Sequence, residues 1–328
     1  MSRKILLLGL ALTLLCGSAA AQRGYIISPK NAEFVLKDAD IRYSVSFLTD
    51  SLSEGRGTGT GGSQKVKLWL ASNFEANGLK KAGDSWYYGF RTPSGRVGHN
   101  VIGCHCGTGK GWIVVMAHFD HLGILNGAMY PGADANASGV AAMLSLSKML
   151  RRLEEVGRSF GKGVLFVALD GKEQGMSGAG NLWKLLDYGM LKNPSDGSSI
   201  RAEDVSLVIN IDQVGATLSP LHKGRKDYLM MLSDASDGYR SSLVNANKQA
   251  GLGLDIAFDY YGSKDFTDIF YRRISDQRVF IEHGIPSVMF TSGITFNNNK
   301  TADEADTLDY AILRRRIILM FHYLVKVL

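Results

Sequence analysis

The chain has 328 residues, 45% hydrophobic and 21% charged, a globular balance that excludes a disordered, collagen-like or disulfide-scaffold protein. Lys and Arg number 37 against 31 Asp and Glu, and the formal charge of +6 is too small and too scattered to argue for nucleic acid. The length holds one large α/β domain or two small ones, with a sizeable core either way.

At the amino end, Arg3 and Lys4 precede an apolar run from Ile5 to Leu15, followed by Ser18-Ala19-Ala20-Ala21-Gln22. A basic start, a short apolar stretch and an Ala-x-Ala site describe a secretory signal peptide, too short to span a membrane. Cleavage after Ala21 leaves 35 basic against 31 acidic residues, a net of +4. Cys16 would suit a lipid anchor, but Leu15 before it is a poor fit to the small residue such sites prefer. No second apolar stretch is long enough to cross a bilayer. The expected product is an exported protein, periplasmic or extracellular, with no transmembrane segment.

Helical spacing of Val66, Leu68, Trp69, Leu70 and Phe74 predicts a helix over 64–78, stopped by Asn77-Gly78. Strands are predicted at 86–90, 100–106 and 112–117. A helix over 137–156 follows, burying Val140, Met143, Leu144, Leu146, Met149 and Leu150. Then come a strand at 164–169, a short helix at 182–188, strands at 205–211 and 228–232, a helix at 239–250, a strand at 287–291 and a closing amphipathic helix at 310–327. Continuous apolar strands alternating with helices indicate a largely parallel sheet covered on both faces. Residues 219–276 are less regular and read as a cap or loop region. No linker divides the chain, so residues 22–328 are predicted to form a single α/β domain.

Two glycine-rich stretches are not phosphate loops. Gly55 to Gly62 lacks the Lys that reaches phosphate, and Gly107-Thr108-Gly109-Lys110-Gly111 joins two strands as a hairpin instead of leading into a helix. Cys104-His105-Cys106 alternates as a strand, lacks zinc ligands from a second segment, and is too extended for an easy disulfide.

In a parallel sheet, functional side chains gather beyond the carboxyl ends of the strands. Three predicted strands end there in His118-Phe119-Asp120-His121, in Asp170-Gly171-Lys172-Glu173 and in Asp212. Imidazole and carboxylates at one sheet edge have the composition of a zinc site, with Asp120 placed to orient the His118 imidazole. Solvated acids at strand ends offer the plainer reading.

At these residues the chain resembles the M28 family of dinuclear zinc aminopeptidases. The resemblance is carried by His118-Phe119-Asp120-His121-Leu122-Gly123, by Gly132-Ala133-Asp134-Ala135-Asn136-Ala137-Ser138-Gly139, by Glu173-Gln174-Gly175 and by Ile209-Asn210-Ile211-Asp212, in the family's order. Glu54-Gly55-Arg56-Gly57, Gly284-Ile285-Pro286 and Asp306-Thr307-Leu308 extend it over nearly the whole chain from about residue 30. It implies a three-layer sandwich, a mixed and mostly parallel sheet with helices on both faces.

The resemblance also implies a site, which this sequence keeps only in part. His118 and Asp212 match ligands of the first metal, and Glu173 matches a ligand of the second. The bridging Asp is replaced by Ala135, the general-base Glu by Lys172, and the last His most nearly by Asn299. Ser-Asp-His appears as Ser275-Asp276-Gln277. Asn136-Ala137-Ser138-Gly139 fixes the register against nominating Asp134 as the bridge. No His lies between His283 and His322 to repair the last ligand. His121 and His222 read as surface residues.

A lost bridging carboxylate removes a ligand from both metals, and an ammonium cannot serve as the base. Lys172 instead balances carboxylates once gathered around cations. The expectation is a metallopeptidase-like pseudoenzyme with no catalytic residues, whose pocket of Asp120, Asp134, Ala135, Lys172 and Asn299 takes a peptide or small-molecule ligand. The alternatives are an exopeptidase holding one zinc on His118, Glu173 and Asp212, and a glutaminyl cyclase-like acyltransferase, of whose ligands only Glu173 is kept. Zinc is the expected cofactor, if any.

Overall fold

A computed structural model describes residues 27–219, 221, 224–233 and 237–328. The expected signal segment, Cys16 and His222 lie outside the described residues. Nine strands form the main sheet: β1 (Lys80–Lys81), β2 (Tyr87–Arg91), β3 (Val97–His105), β4 (Trp112–His118), β5 (Gly163–Leu169), β6 (Val205–Ile211), β7 (Tyr228–Leu232), β8 (Asp255–Ala257) and β9 (Ser287–Thr291). The longer helices, with one short one, are α1 (Asp38–Thr49), α2 (Gly61–Ala76), α3 (Ser138–Glu155), α4 (Ser177–Asp187), α5 (Asp237–Ala250), α6 (Lys264–Arg272), α7 (Arg278–Glu282) and α8 (Tyr310–Val327).

The strand order is β1-β3-β5-β4-β6-β9-β7-β8, with β2 on the free flank of β3. Its centre is parallel, β5 with β4, β4 with β6 and β6 with β9. The margins turn antiparallel, β3 against β5 and β7 against β9. The sheet is therefore mixed, as the family resemblance implies.

Period-two alternation decides which helices cover which face. Ile113, Val115 and Ala117 of β4 and Val164, Phe166 and Ala168 of β5 face a core shared with α1, α2, α3 and α8. Val114, Met116, Leu165, Val167 and Leu169 face the opposite core, closed by Leu182, Leu185 and Leu186 of α4 and Phe280 of α7. β4 and β5 are buried at every position, so they read as unbroken apolar runs. Truncating Phe166 to Ala would cost about 3–5 kcal/mol.

The predicted bounds hold closely for β6, β7, β9 and α8. α8 begins where the Asp309 carboxylate accepts from the Ile312 N–H (3.1 Å), an N-cap. The six predicted apolar positions of α3 are all buried, and so are Ala141, Ala142, Ser145 and Ser147 between them. This helix lies under α1 and α8, so both its flanks are covered. α1 went unpredicted although Ile41, Val45 and Leu48 stand at helical spacing. The segment 219–276 is more regular than its sequence suggests. β7 and β8 within it join the main sheet, α5 packs on α8, and only its later part acts as a cap.

Candidate functional site

Parallel pairing brings the carboxyl ends of β5, β4 and β6 side by side, with His118 opposite Leu169 and Asn210 opposite Met116. His118, Lys172 and Asp212 therefore meet although they are dispersed in sequence. The His118 Nε2 lies 3.4 Å from one Asp212 oxygen. The Lys172 Nζ lies 3.4 Å from the other, where its side chain keeps only 16% exposure. The Ser275 hydroxyl donates to that second oxygen at 2.9 Å.

Asp120 does not orient His118 through its carboxylate, as the sequence suggested. The imidazole Nδ1 bonds the Asp120 backbone carbonyl (3.0 Å), and a carbonyl only accepts, so Nδ1 carries the proton. The carboxylate instead accepts the backbone N–H groups of Lys172 and Glu173, both at 3.0 Å. Asp120 thereby fixes the turn that aims Lys172 at Asp212.

The remaining predicted residues part company here. Asp134 is buried but engaged elsewhere, accepting from the N–H groups of Gly215 (2.8 Å) and Ala216 (3.1 Å) and from the Ser138 hydroxyl (3.1 Å). It clamps the loop after β6 and does not line the cavity. Ala135 is 3% exposed, its N–H bonded to Asp303 at 3.1 Å. Asn299, expected in the same pocket, is exposed in the turn 297–300 with φ 57°. Its sequence position was reached by counting back from Asp306-Thr307, which cannot say where a loop points. Glu173 is half-buried, and its carboxylate makes no hydrogen bond or ion pair among the described residues.

His121 is not a surface residue. It is 1% exposed, neither ring nitrogen has a hydrogen-bond partner, and burial followed by the Arg56 charge pushes its pKa down to about 2. His283 stacks on Trp183, and His322 meets Glu33 at 2.7 Å. Cys104 and Cys106 are free thiols.

Three contributors escaped the sequence reading. Arg56, fully buried, donates to the carbonyls of Phe119 (2.6 Å), Pro131 (2.6 Å) and Gly132 (2.8 Å), tying the loop after β4 to the segment before α3. Asp303 holds the N–H groups of both Asp134 (2.9 Å) and Ala135. Asp276, fully buried beside the cluster, has no donor on either oxygen, and burial raises its pKa to about 6. The Ser275-Asp276 pair and the Glu54-Gly55-Arg56-Gly57 stretch were the visible signals for Asp276 and Arg56.

Charge in the cluster is mutually dependent. Burial opposes ionisation of Asp212, but Lys172 and then His118 outweigh it and hold the carboxyl well below its usual range. Burial likewise disfavours the Lys172 ammonium, and Asp212, Glu173, Asp276 and Asp120 together hold its proton on more tightly than usual. For His118, burial and Lys172 oppose protonation, yet Asp212 and Asp120 leave its pKa raised.

A small cavity touches Lys172, Asp212 and Gln213, and its roof comes from the cap through Tyr260, Phe270 and Ile274. Its volume is about 30 Å³, room for roughly two waters. Tyr260 packs tilted against Phe270 (4.2 Å between ring centroids), and its hydroxyl accepts from the Ile294 N–H (3.0 Å), which pins the cap to the loop after β9.

The donor set does not fit the two zinc ions that the resemblance implies. Among the described residues no group of three His, Cys, Asp or Glu is disposed to hold a metal. Lys172 occupies the second oxygen of Asp212, and Ala135, the residue the resemblance would put at the bridge, offers only a methyl.

The sequence model of Peptidase family M28 matches residues 100–324. The alkaline phosphatase isozyme conversion protein of Escherichia coli K12 is 28% identical over 204 residues, 57% of this chain and 52% of that protein. The chain thus spans about half the length of that curated relative. In three dimensions it resembles BSAP, a zinc aminopeptidase from Bacillus subtilis, with TM-score 0.65 and 13% identity over 88% of this chain and 94% of that one. It also resembles the Macrostomum lignano glutaminyl cyclase, with TM-score 0.70 and 16% identity over 91% and 92% of the two chains. At such identities the likeness is one of fold.

Proposed function

The chain belongs to peptidase family M28, and on that premise we propose that it is an exported, catalytically silent member that binds a peptide or other small ligand without cutting it. The observation that carries this reading is the Lys172 ammonium 3.4 Å from Asp212, on the residue that takes the general-base position. A base needs a lone pair, and an ammonium held protonated by Asp212 and Glu173 has none to offer. The same cation neutralises carboxylates that would repel one another without a metal. The cavity beside Lys172 and Asp212, about 30 Å³, is also too small for a peptide.

One observation favours a rival. His118 Nε2 and Asp212 Oδ1 are buried, 3.4 Å apart and otherwise unpartnered, two of the three ligands that, with Glu173, a single zinc would take. Metal analysis of the purified mature protein, with an aminopeptidase assay on an aminoacyl anilide with and without added zinc, separates the two. The silent reading expects well under one zinc per chain and no hydrolysis above blank. Stoichiometric zinc with zinc-dependent turnover would overturn it in favour of the single-metal exopeptidase.

A further inference from the structure

Beside the closed site lies a much larger cavity, about 600 Å³, between the carboxyl end of β2, α4 and α7. That volume is in the range of ordinary ligand sites. Three cations line it, each from a different element: Arg91 ends β2, Lys184 lies on α4, and Arg278 opens α7. The acid on its wall, Glu282, is engaged by Arg278 at 2.6 Å. Neither the Arg91 nor the Lys184 side chain has an ion-pair or hydrogen-bond partner among the described residues. Between the cations the wall is apolar, with Phe90, Met176 and Val279. The floor is open at Gly180, where an added Cβ would meet no atom within 4 Å.

We infer that this groove binds peptides in which acidic side chains alternate with apolar ones, the carboxylates read by Arg91 and Lys184, since Arg278 is already paired with Glu282. The net positive wall selects for anionic partners and repels cationic ones. A compact anion such as phosphate would leave Phe90, Met176 and Val279 uncovered, whereas an extended peptide places charged and apolar groups together along the trough. The inference rests on the reading that the chain binds without cutting, and it uses no residue of the His118–Asp212 cluster.

The test measures fluorescence anisotropy of a labelled peptide of alternating Glu and Leu, about ten residues long, on the mature protein, against a Lys–Leu peptide of equal length. The acidic peptide is expected to bind at least about tenfold more tightly, with an advantage that shrinks as salt rises. The double variant Arg91→Glu, Lys184→Glu should lose about tenfold or more. Both side chains are exposed, so the fold survives the change. Gly180→Leu supplies an independent arm. It fills the trough, improves helix propensity, and should lose binding with an unchanged or higher melting temperature. Equal binding of the two peptides, or wild-type affinity in either variant, overturns the inference. Complete displacement by a few millimolar inorganic phosphate also overturns it, in favour of a compact-anion site. Zinc-dependent cleavage of the bound peptide would defeat the silent-peptidase reading alone. Binding that ignores both variants would defeat only the groove.

Discussion

Replacing Lys172 by Met keeps the length of the side chain and removes the charge that faces Asp212. At 3.4 Å and an effective dielectric of about 20, the lost attraction is ~5 kcal/mol. The variant also escapes the cost of burying an ammonium, and Ser275 and His118 still support Asp212. Removing one member of a buried pair costs about 3–5 kcal/mol in general. The residual 16% exposure of Lys172 places this pair near the lower end, about 3 kcal/mol. For a domain of about 300 residues that corresponds to a fall in melting temperature of roughly 5 °C. The pH dependence follows from the two shifts. Asp212 titrates below its ordinary range, so its contribution is present above about pH 4 and is lost as pH falls through its folded pKa. Lys172 titrates above its ordinary range, so its contribution is present below about pH 10.4 and is lost as pH rises through its folded pKa. The cost of the variant should therefore be flat between those limits and shrink in acid, where Asp212 is protonated in the variant first. Urea denaturation followed by tryptophan fluorescence, at several pH values from 3 to 9, measures it. A cost under about 1 kcal/mol, or one equally large at pH 3 and pH 7, would refute the role assigned to Lys172.

Restoring acids through Ala135→Asp with Lys172→Glu should destabilise the metal-free protein and make it respond to zinc. At a hundredfold excess of zinc over Kd, the gain is about 2.7 kcal/mol, absent in wild type, and equal zinc-induced melting shifts in both would dismiss the assignment of these positions. Asp276 has a folded pKa raised to about 6 against an ordinary value of 3.8, so its ionisation costs stability progressively as pH climbs through that interval. Asp276→Asn should accordingly stabilise the protein at pH 8 by about 1–3 kcal/mol and hardly at all at pH 4, and thermal melts at the two values decide it. Mass spectrometry of the exported protein should find Gln22, or its cyclised form, at the amino terminus, and an intact Met1 or a lipid on Cys16 would rule out the proposed cleavage.

By itself, the sequence determined the strands and helices whose burial is periodic, because alternation and 3.6-residue spacing are local properties of the chain. Trp112–His118, Gly163–Leu169 and Val205–Ile211 were recognisable as buried strands, and the acids and imidazole at their ends as residues that one sheet edge would bring together. The reading of Ala135 and Lys172 as the bridge and base positions rests on the register that Asn136-Ala137-Ser138-Gly139 and Glu173 set. Contacts between distant segments were not. That Asp134 clamps Gly215, that Asp303 holds Ala135, and that Asn299 faces solvent all depend on how loops close over the sheet. A loop's direction is set by hydrogen bonds to residues far away in sequence, about 80 and 170 positions here, which no local pattern encodes. The small size of the cavity under Tyr260 and Phe270 belongs to the same class. So does the trough of Arg91, Lys184 and Arg278, whose three cations share a wall only because α4 and α7 pack on one face of the sheet and β2 ends beside them.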